Sequence, residues 1–196
     1  SQMLEEASKK LKASGADERF NIKNANIENL EDFSDKNFDL GLSFYNVISF
    51  VEDPKKALTE IHRVLNDDGV HISIVANKYH SYYFSILTNQ MVELRFIKDR
   101  SKTRFNKLMP YVYCYTPDEL KRLYLDSGFS DVKIIGGPNL FYPGMEETYT
   151  HGSTSSIKNK LSNNKIFKKI LKIELDNYNK KDVVGRGNVL MAIATK

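Results

Sequence analysis

Residues 37–69 read NFDLGLSFYNVISFVEDPKKALTEIHRVLNDDG, and this run decides the fold class. Phe38 to Ser43 has the short apolar character of a buried strand. Ten residues on, Asp53-Pro54 is a clean helix start, with Asp as N-cap and Pro at the first helical position. Ala57, Leu58, Ile61, Val64 and Leu65 then supply one apolar helical face, and Asn66-Asp-Asp-Gly69 turns the chain out. Val70 to Val75 follows as a second strand. Strand, helix, strand in so short a span is the unit of a wound α/β sheet.

The flanks extend the same alternation. Upstream, Met3, Leu4, Ala7 and Leu11 recur at helical spacing, predicting an amphipathic helix over 2–13 that ends at Ser14-Gly15. Phe20 to Lys23 reads as a short strand, followed by a polar connector. Downstream, residues 77–110 are irregular and rich in aromatics, with some helix expected. Thr116-Pro-Asp-Glu119 is a capping box, with Tyr115 placed to staple onto Leu120, and Ser127-Gly128 closes that helix. Val132–Ile135 and Val189–Thr195 are the last two strands. The roughly fifty residues between them exceed any ordinary hairpin loop.

Composition sets the outer limits. A chain of 196 residues with 41% hydrophobic and 28% charged residues makes one globular domain. Its apolar runs are too short for a membrane span, and no charged region precedes an apolar stretch as in a secretory signal. The single cysteine, Cys114, excludes an intramolecular disulfide and a cysteine-based zinc site, so a cytoplasmic location is expected. Charge is asymmetric: residues 1–99 sum to −4 and residues 100–196 to +8. A solvated basic face is the ordinary reading of such asymmetry, a surface for nucleic acid or anionic lipid the sharper one.

Taken in order, these segments resemble class I S-adenosylmethionine-dependent methyltransferases, especially the small-molecule group that includes the ubiquinone and menaquinone methyltransferases. Residues 37–69 match the family's fourth strand, the loop after it, the Asp-Pro-started helix and the turn into strand five. Ser1-Gln-Met-Leu-Glu-Glu-Ala7 looks like the helix after strand two. Tyr115 to Leu120, with Ser127-Gly-Phe-Ser-Asp-Val132, looks like the last helix and strand six. The resemblance implies a Rossmann-like sheet with helices on both faces, S-adenosylmethionine as cofactor, and a methyl acceptor as partner. Ser43, Phe44 and Tyr45, leaving the fourth strand, would line the pocket near the methionine portion and the reactive methyl. Asn26 and Ile27 stand where the family reads the adenine edge. Tyr79, His80, Tyr82 and Tyr83 stand where it builds a substrate lid, and 78–110 and 138–188 are the candidate lid insertions.

The family's glycine-rich first loop and the ribose-binding acidic residue of its second strand have no counterpart here. The Gly-x-Gly at Gly185-Arg-Gly187 precedes a strand instead of joining a strand to a helix, so it does not qualify as a cofactor loop. The family's strand order is 3-2-1-4-5-7-6, which makes strands one and two central. Their absence would separate Phe20–Lys23 from Phe38–Ser43 and leave an open edge against the core. The single domain over 1–196 is therefore expected to be N-terminally incomplete, lacking at least one strand–helix–strand unit of on the order of 30 residues. This segment alone is expected to be inactive.

Methyl transfer needs in-line placement of a nucleophile beside the sulfonium methyl, and a base only if the nucleophile must lose a proton. Many family members carry a His pair after strand four, where this chain has Ser49 and Phe50, so no catalytic residue is assigned. His62, His71, His80 and His151 are scattered without metal-ligand spacing, and only His80 falls near the pocket. Six lysines between Lys158 and Lys172, and the run Arg95, Lys98, Arg100, Lys102, Arg104 and Lys107, are solvated faces or anion-binding surfaces. The expected function is methyl transfer to a small-molecule acceptor. The alternatives are an RNA methyltransferase and a non-catalytic remnant serving as an interaction module.

Overall fold

The computed structural model describes residues 2–15, 17–140 and 161–196. Helix α1 (Gln2–Ala13) is followed by strand β1 (Phe38–Ser43), helices α2 (Val47–Phe50) and α3 (Pro54–Val64), and strand β2 (Leu65–Asn77). Helices α4 (Lys78–Leu87) and α5 (Met91–Arg100) lead into strands β3 (Lys102–Thr103) and β4 (Val112–Tyr115). Helix α6 (Pro117–Leu125), strand β5 (Asp131–Gly137), helix α7 (Asn164–Leu175) and strand β6 (Val189–Thr195) complete the order.

β2 is the spine of the sheet. β1 pairs with it in parallel, β6 pairs antiparallel along Val70–Ala76, and β5 pairs antiparallel outside β6. The resulting order β1-β2-β6-β5 is the 4-5-7-6 half of the sheet that the resemblance implied. β4 joins β2 in parallel at Ala76 and Asn77 only, with β3 antiparallel outside it. Because β6 fills one edge of β2, β1 and β4 must share the other. The β3–β4 hairpin therefore sits just beyond the carboxyl end of β1.

Local chemistry accounts for most of these elements. The Asp53 side chain accepts from the Lys56 N–H, and Pro54 opens α3, whose Ala57, Leu58, Ile61 and Val64 are buried. The Thr116 hydroxyl accepts from the Glu119 N–H at 3.2 Å, and the Glu119 carboxylate accepts from the Thr116 N–H at 2.8 Å. Thr116→Ala should lower the unfolding free energy by about 1 kcal/mol, read as a drop in the urea midpoint at unchanged slope. α3 and α6 cover one face of the sheet. There Ile48, Leu58, Leu65, Val75, Leu120, Tyr124, Leu190 and Ala192 form the main core, joined by Tyr115 beside Leu120. The connector before β1 is clamped to α3 by Arg63, whose guanidinium donates to the Leu30 and Phe33 carbonyls and pairs with Asp35 and Glu60.

Three expectations change. Phe20 to Lys23 forms no strand, and Phe20 is 59% exposed. A strand is stabilised by an edge to pair with, and no described strand lies beside this segment. The expected turn at Asn66–Gly69 lies inside β2 as an irregularity, since Phe38 pairs with Leu65 but Leu40 with Val70. α1 forms as expected but buries none of its residues. β1, expected as a buried strand, instead leaves Phe38, Leu40 and Leu42 38%, 51% and 54% exposed, because no described strand pairs with its other edge. No helix among the described residues is long and apolar enough to cross a membrane.

Candidate functional site

In an open α/β sheet, ligands bind beyond the carboxyl ends of the parallel strands. Ser43 ends β1, and Phe44, Tyr45 and Asn46 carry the chain into α2. Ser43 is buried, while Phe44 and Tyr45 project, Tyr45 being 92% exposed. Tyr45 (φ 57) and Asn46 (φ 63) are both left-handed, an uncommon conformation for non-glycine residues, so this bend is sharply set.

A buried polar chain anchors the bend from below. Ser43 Oγ lies 2.9 Å from His71 Nε2, His71 Nδ1 lies 3.0 Å from the Tyr124 hydroxyl, and that hydroxyl lies 2.6 Å from Ser73 Oγ. Burial pushes His71 down to about 4, keeping the imidazole neutral, and raises the Tyr124 phenol. Ser49 Oγ accepts from the Ala76 N–H, so α2 is tied to β2 as well.

Asn26 and Ile27 are held beside the loop after α2 by a residue that sequence reasoning did not single out. Glu28 accepts from the Glu52 and Asp53 N–H groups at 2.6 and 2.9 Å, pinning 26–28 to the loop after α2. Ile27 packs against the main core, and Asn26 Oδ1 accepts from the Glu28 N–H. Above them, the Tyr113 hydroxyl donates to the Glu52 carbonyl, joining the β3–β4 hairpin to that loop.

The expected lid residues divide. Tyr79, His80 and Tyr83 line an open groove of about 1250 Å³ with the start of α6, strand β5 and residues 179–186. Tyr82 instead packs on a second core of Ala76, Ile97, Val112 and Cys114. In the sheet order β2 and β6 lie between β5 and β1, so the β5 wall of the groove and the β1 bend are two strands apart. Gly185 and Gly187 border the groove side, where both carbonyls accept from the Asn77 carboxamide at 2.8 and 2.6 Å. Cys114 is buried with its thiol pushed up to about 12, and no described group of His, Cys, Asp and Glu can hold a metal ion. His151, Lys158, Lys160 and much of the 138–188 insertion lie outside the described residues.

Comparison with known proteins agrees with this fold. Residues 1–73 match the family model described as a methyltransferase domain. An uncharacterized protein of Methanocaldococcus jannaschii is 29% identical over 150 residues, covering 76% of this chain and 54% of the relative. The chain thus spans about half the length of that relative. A Thermotoga maritima S-adenosylmethionine-dependent methyltransferase superposes with a TM-score of 0.51 at 19% identity, over 93% of this chain and 68% of its own. One from Methanosarcina mazei gives 0.52 at 16%, over 89% and 66%. The [4+2]-cyclase SpnF gives 0.53 at 13%, over 96% of this chain and 60% of its own. A cyclase among these structures means that the shared architecture does not by itself name the reaction. The sheet order, the parallel β1–β2 pair and these superpositions together give the chain the Rossmann-like fold of class I S-adenosylmethionine-dependent methyltransferases.

Proposed function

We propose that this chain forms the acceptor-side half of an S-adenosylmethionine-dependent methyltransferase that modifies a small molecule. S-adenosylmethionine is the cofactor that the family match and the fold imply. The observation that carries the reading is the bend after β1: a strained, projecting loop at the carboxyl end of a parallel strand, anchored by buried hydrogen bonds. Residues there fit the group. Phe44 and Tyr45 offer exposed rings, and Asn46 holds a buried oxygen without a partner. Ser43, Phe44 and Tyr45, with Asn26 and Ile27, would hold the cofactor, whose chemistry is to present an electrophilic methyl on sulfur. Tyr79, His80 and Tyr83 would bound the acceptor side. The exposed flank of β1 favours a longer working unit, because apolar strand residues of this kind are stable when covered. In such a unit the acceptor class follows the ubiquinone and menaquinone pattern of residues 37–69.

A second reading has its own observation. On the outer face of α5 and the β3–β4 hairpin, Arg100 lies 4.9 Å from the Phe96 ring, Phe96 stacks on Tyr111 at 4.6 Å, and Arg104 lies 4.7 Å from Tyr111. Lys102 covers Tyr113 at 4.2 Å. Arg100 and Lys102 beside these rings suit a phosphate backbone, Arg104 being paired with Glu93 at 2.9 Å, and this favours RNA as the acceptor.

One experiment separates the readings. The full-length protein is supplied with methyl-labelled S-adenosylmethionine and either a protein-free metabolite extract or total RNA. Label in the metabolite fraction is the expected result. Label in RNA, with retention that weakens steeply with salt, would replace the small-molecule acceptor by RNA. No cofactor uptake at all would leave the interaction module as the remaining reading.

A further inference from the structure

We propose that α7 is a membrane-surface contact, which settles on a bilayer carrying anionic lipids. Its lysines meet the headgroups and its apolar side chains reach the acyl boundary. This role goes beyond methyl transfer and is independent of it.

α7 is well formed on its own terms. The Asn163 side chain caps it, accepting from the Lys165 and Ile166 N–H groups at 3.1 Å each. The helix carries Ile166, Phe167, Ile170, Leu171, Ile173 and Leu175, yet none of its residues is buried. α3 and α6, by contrast, bury apolar residues against the sheet. Within α7 only Ile170 and Glu174 are partly shielded. The Glu174 carboxylate accepts from the Asn139 and Leu140 N–H groups at 2.9 and 2.7 Å, which ties that side of the helix to the chain leaving β5.

The side away from this anchor is basic. Lys165, Lys168, Lys169 and Lys172 recur at i, i+3, i+4 and i+7, so they form one stripe. Lys172 pairs with Asp176 at 2.8 Å, while Lys165, Lys168 and Lys169 have no acidic partner among the described residues. Phe167, Leu171 and Leu175 flank the stripe on one side, and Ile166 and Ile173 flank it on the other. All five flanking residues are exposed.

This combination selects the partner. A second copy packed on the same face would bring two lysine stripes together. An RNA backbone would pair with the lysines but leave Ile166, Leu171, Ile173 and Leu175 in water. A strand added at the open flank of β1 would stand at the opposite edge of the sheet from β5. An anionic bilayer satisfies both halves of the pattern: headgroups pair with the ammonium groups, and the aliphatic stems and apolar flanks leave water. With the charge central and the apolar rows beside it, the contact is shallow, reversible and sensitive to salt. The net charge of +8 over residues 100–196 strengthens the approach to such a surface.

Vesicle co-sedimentation of the full-length protein tests the proposal, with phosphatidylcholine alone or in equal mixture with phosphatidylglycerol. Binding to the mixture only, weakened by salt, is the expected result. Lys168→Ala with Lys169→Ala should lower vesicle affinity about tenfold or more. Phe167→Ser with Leu171→Ser should lower it by about tenfold as well. All four side chains are exposed, so these variants should keep the wild-type circular dichroism. Arg95→Ala with Lys98→Ala, on α5, should leave vesicle affinity within about twofold. No binding, equal binding to neutral vesicles, or α7 variants that bind as wild type would each overturn the proposal. Loss in the lysine variant alone would overturn it in favour of a plain anion-binding face, such as one for RNA. A dimer in sedimentation that the Phe167/Leu171 variant abolishes would assign the face to a second copy instead.

Discussion

Asn77→Ala is expected to lower the unfolding free energy by roughly 3–4 kcal/mol, since each buried group left without its partner costs about 1–3 kcal/mol. Asn77 ends β2 and is fully buried. Its Nδ2 donates to the carbonyls of Gly185 and Gly187 at 2.8 and 2.6 Å, and its Oδ1 accepts from the Tyr79 N–H at 3.0 Å. One side chain therefore caps α4 and ties it to the approach to β6, more than 100 residues later. Two carbonyls require donors and one N–H requires an acceptor, which fixes the orientation of the amide. Alanine strands all three groups where the core, the groove and the start of the aromatic segment meet. Aspartate keeps only the Tyr79 bond and sets a carboxylate against two carbonyls, so Asn77→Asp should be at least as damaging. Urea unfolding followed by circular dichroism reads the effect, and a loss below about 1 kcal/mol would contradict the clasp.

Acidification should act through His71. Its imidazole is buried and held at about 4, against an ordinary value of 6.5 in the unfolded chain. The folded state thus favours the neutral ring, and its contribution is complete above pH 6.5. As pH falls below 6.5 the unfolded chain takes up the proton first. Stability then drops by 1.36 kcal/mol per pH unit, to a total of roughly 3 kcal/mol by pH 4. Desolvation is the cause, and the hydroxyls of Ser43 and Tyr124 satisfy the neutral ring. His62 is shifted the same way by burial and by Lys196, which adds to the slope without changing its sign. Thermal melts of wild type and His71→Gln between pH 4.5 and 7.5 check this. The variant should start less stable and lose much of the slope, whereas an equal slope in both would remove His71 as its source.

What the sequence revealed follows the range of the interactions. Asp53-Pro54 and Thr116-Pro-Asp-Glu119 announced α3 and α6 because a cap and its partner lie within four residues. β6 was bounded correctly at Val189 and Thr195. The Phe20–Lys23 strand was wrong for the complementary reason: local pattern cannot supply the neighbouring edge on which a strand depends. β3 and β4 have two and four residues and exist through pairing, so no window on the aromatic segment announced them.

The site shows the same division. The position of Ser43, Phe44 and Tyr45 at a strand's carboxyl end was legible from the apolar run that they close. Asn46 was not, because its distinction lies in a positive φ and an unpaired oxygen, neither of which residue identity encodes. Glu28 and Asn77 act across separations of 24 to 110 residues. Tyr82 shares the spacing of Tyr79 and Tyr83 but faces the second core, a difference that helical phase within so dense an aromatic run left unresolved.

The central claim is that the bend after β1 seats the cofactor. Amide chemical-shift mapping of the full-length protein during titration with S-adenosylhomocysteine tests it most directly. Ser43 to Phe50 and Asn26 to Glu28 should shift in a saturable, ligand-dependent way, with Gly185 and Gly187 at most following weakly. Perturbations confined to the groove of Tyr79, Tyr83 and Arg186, with the β1 bend unmoved, would contradict it.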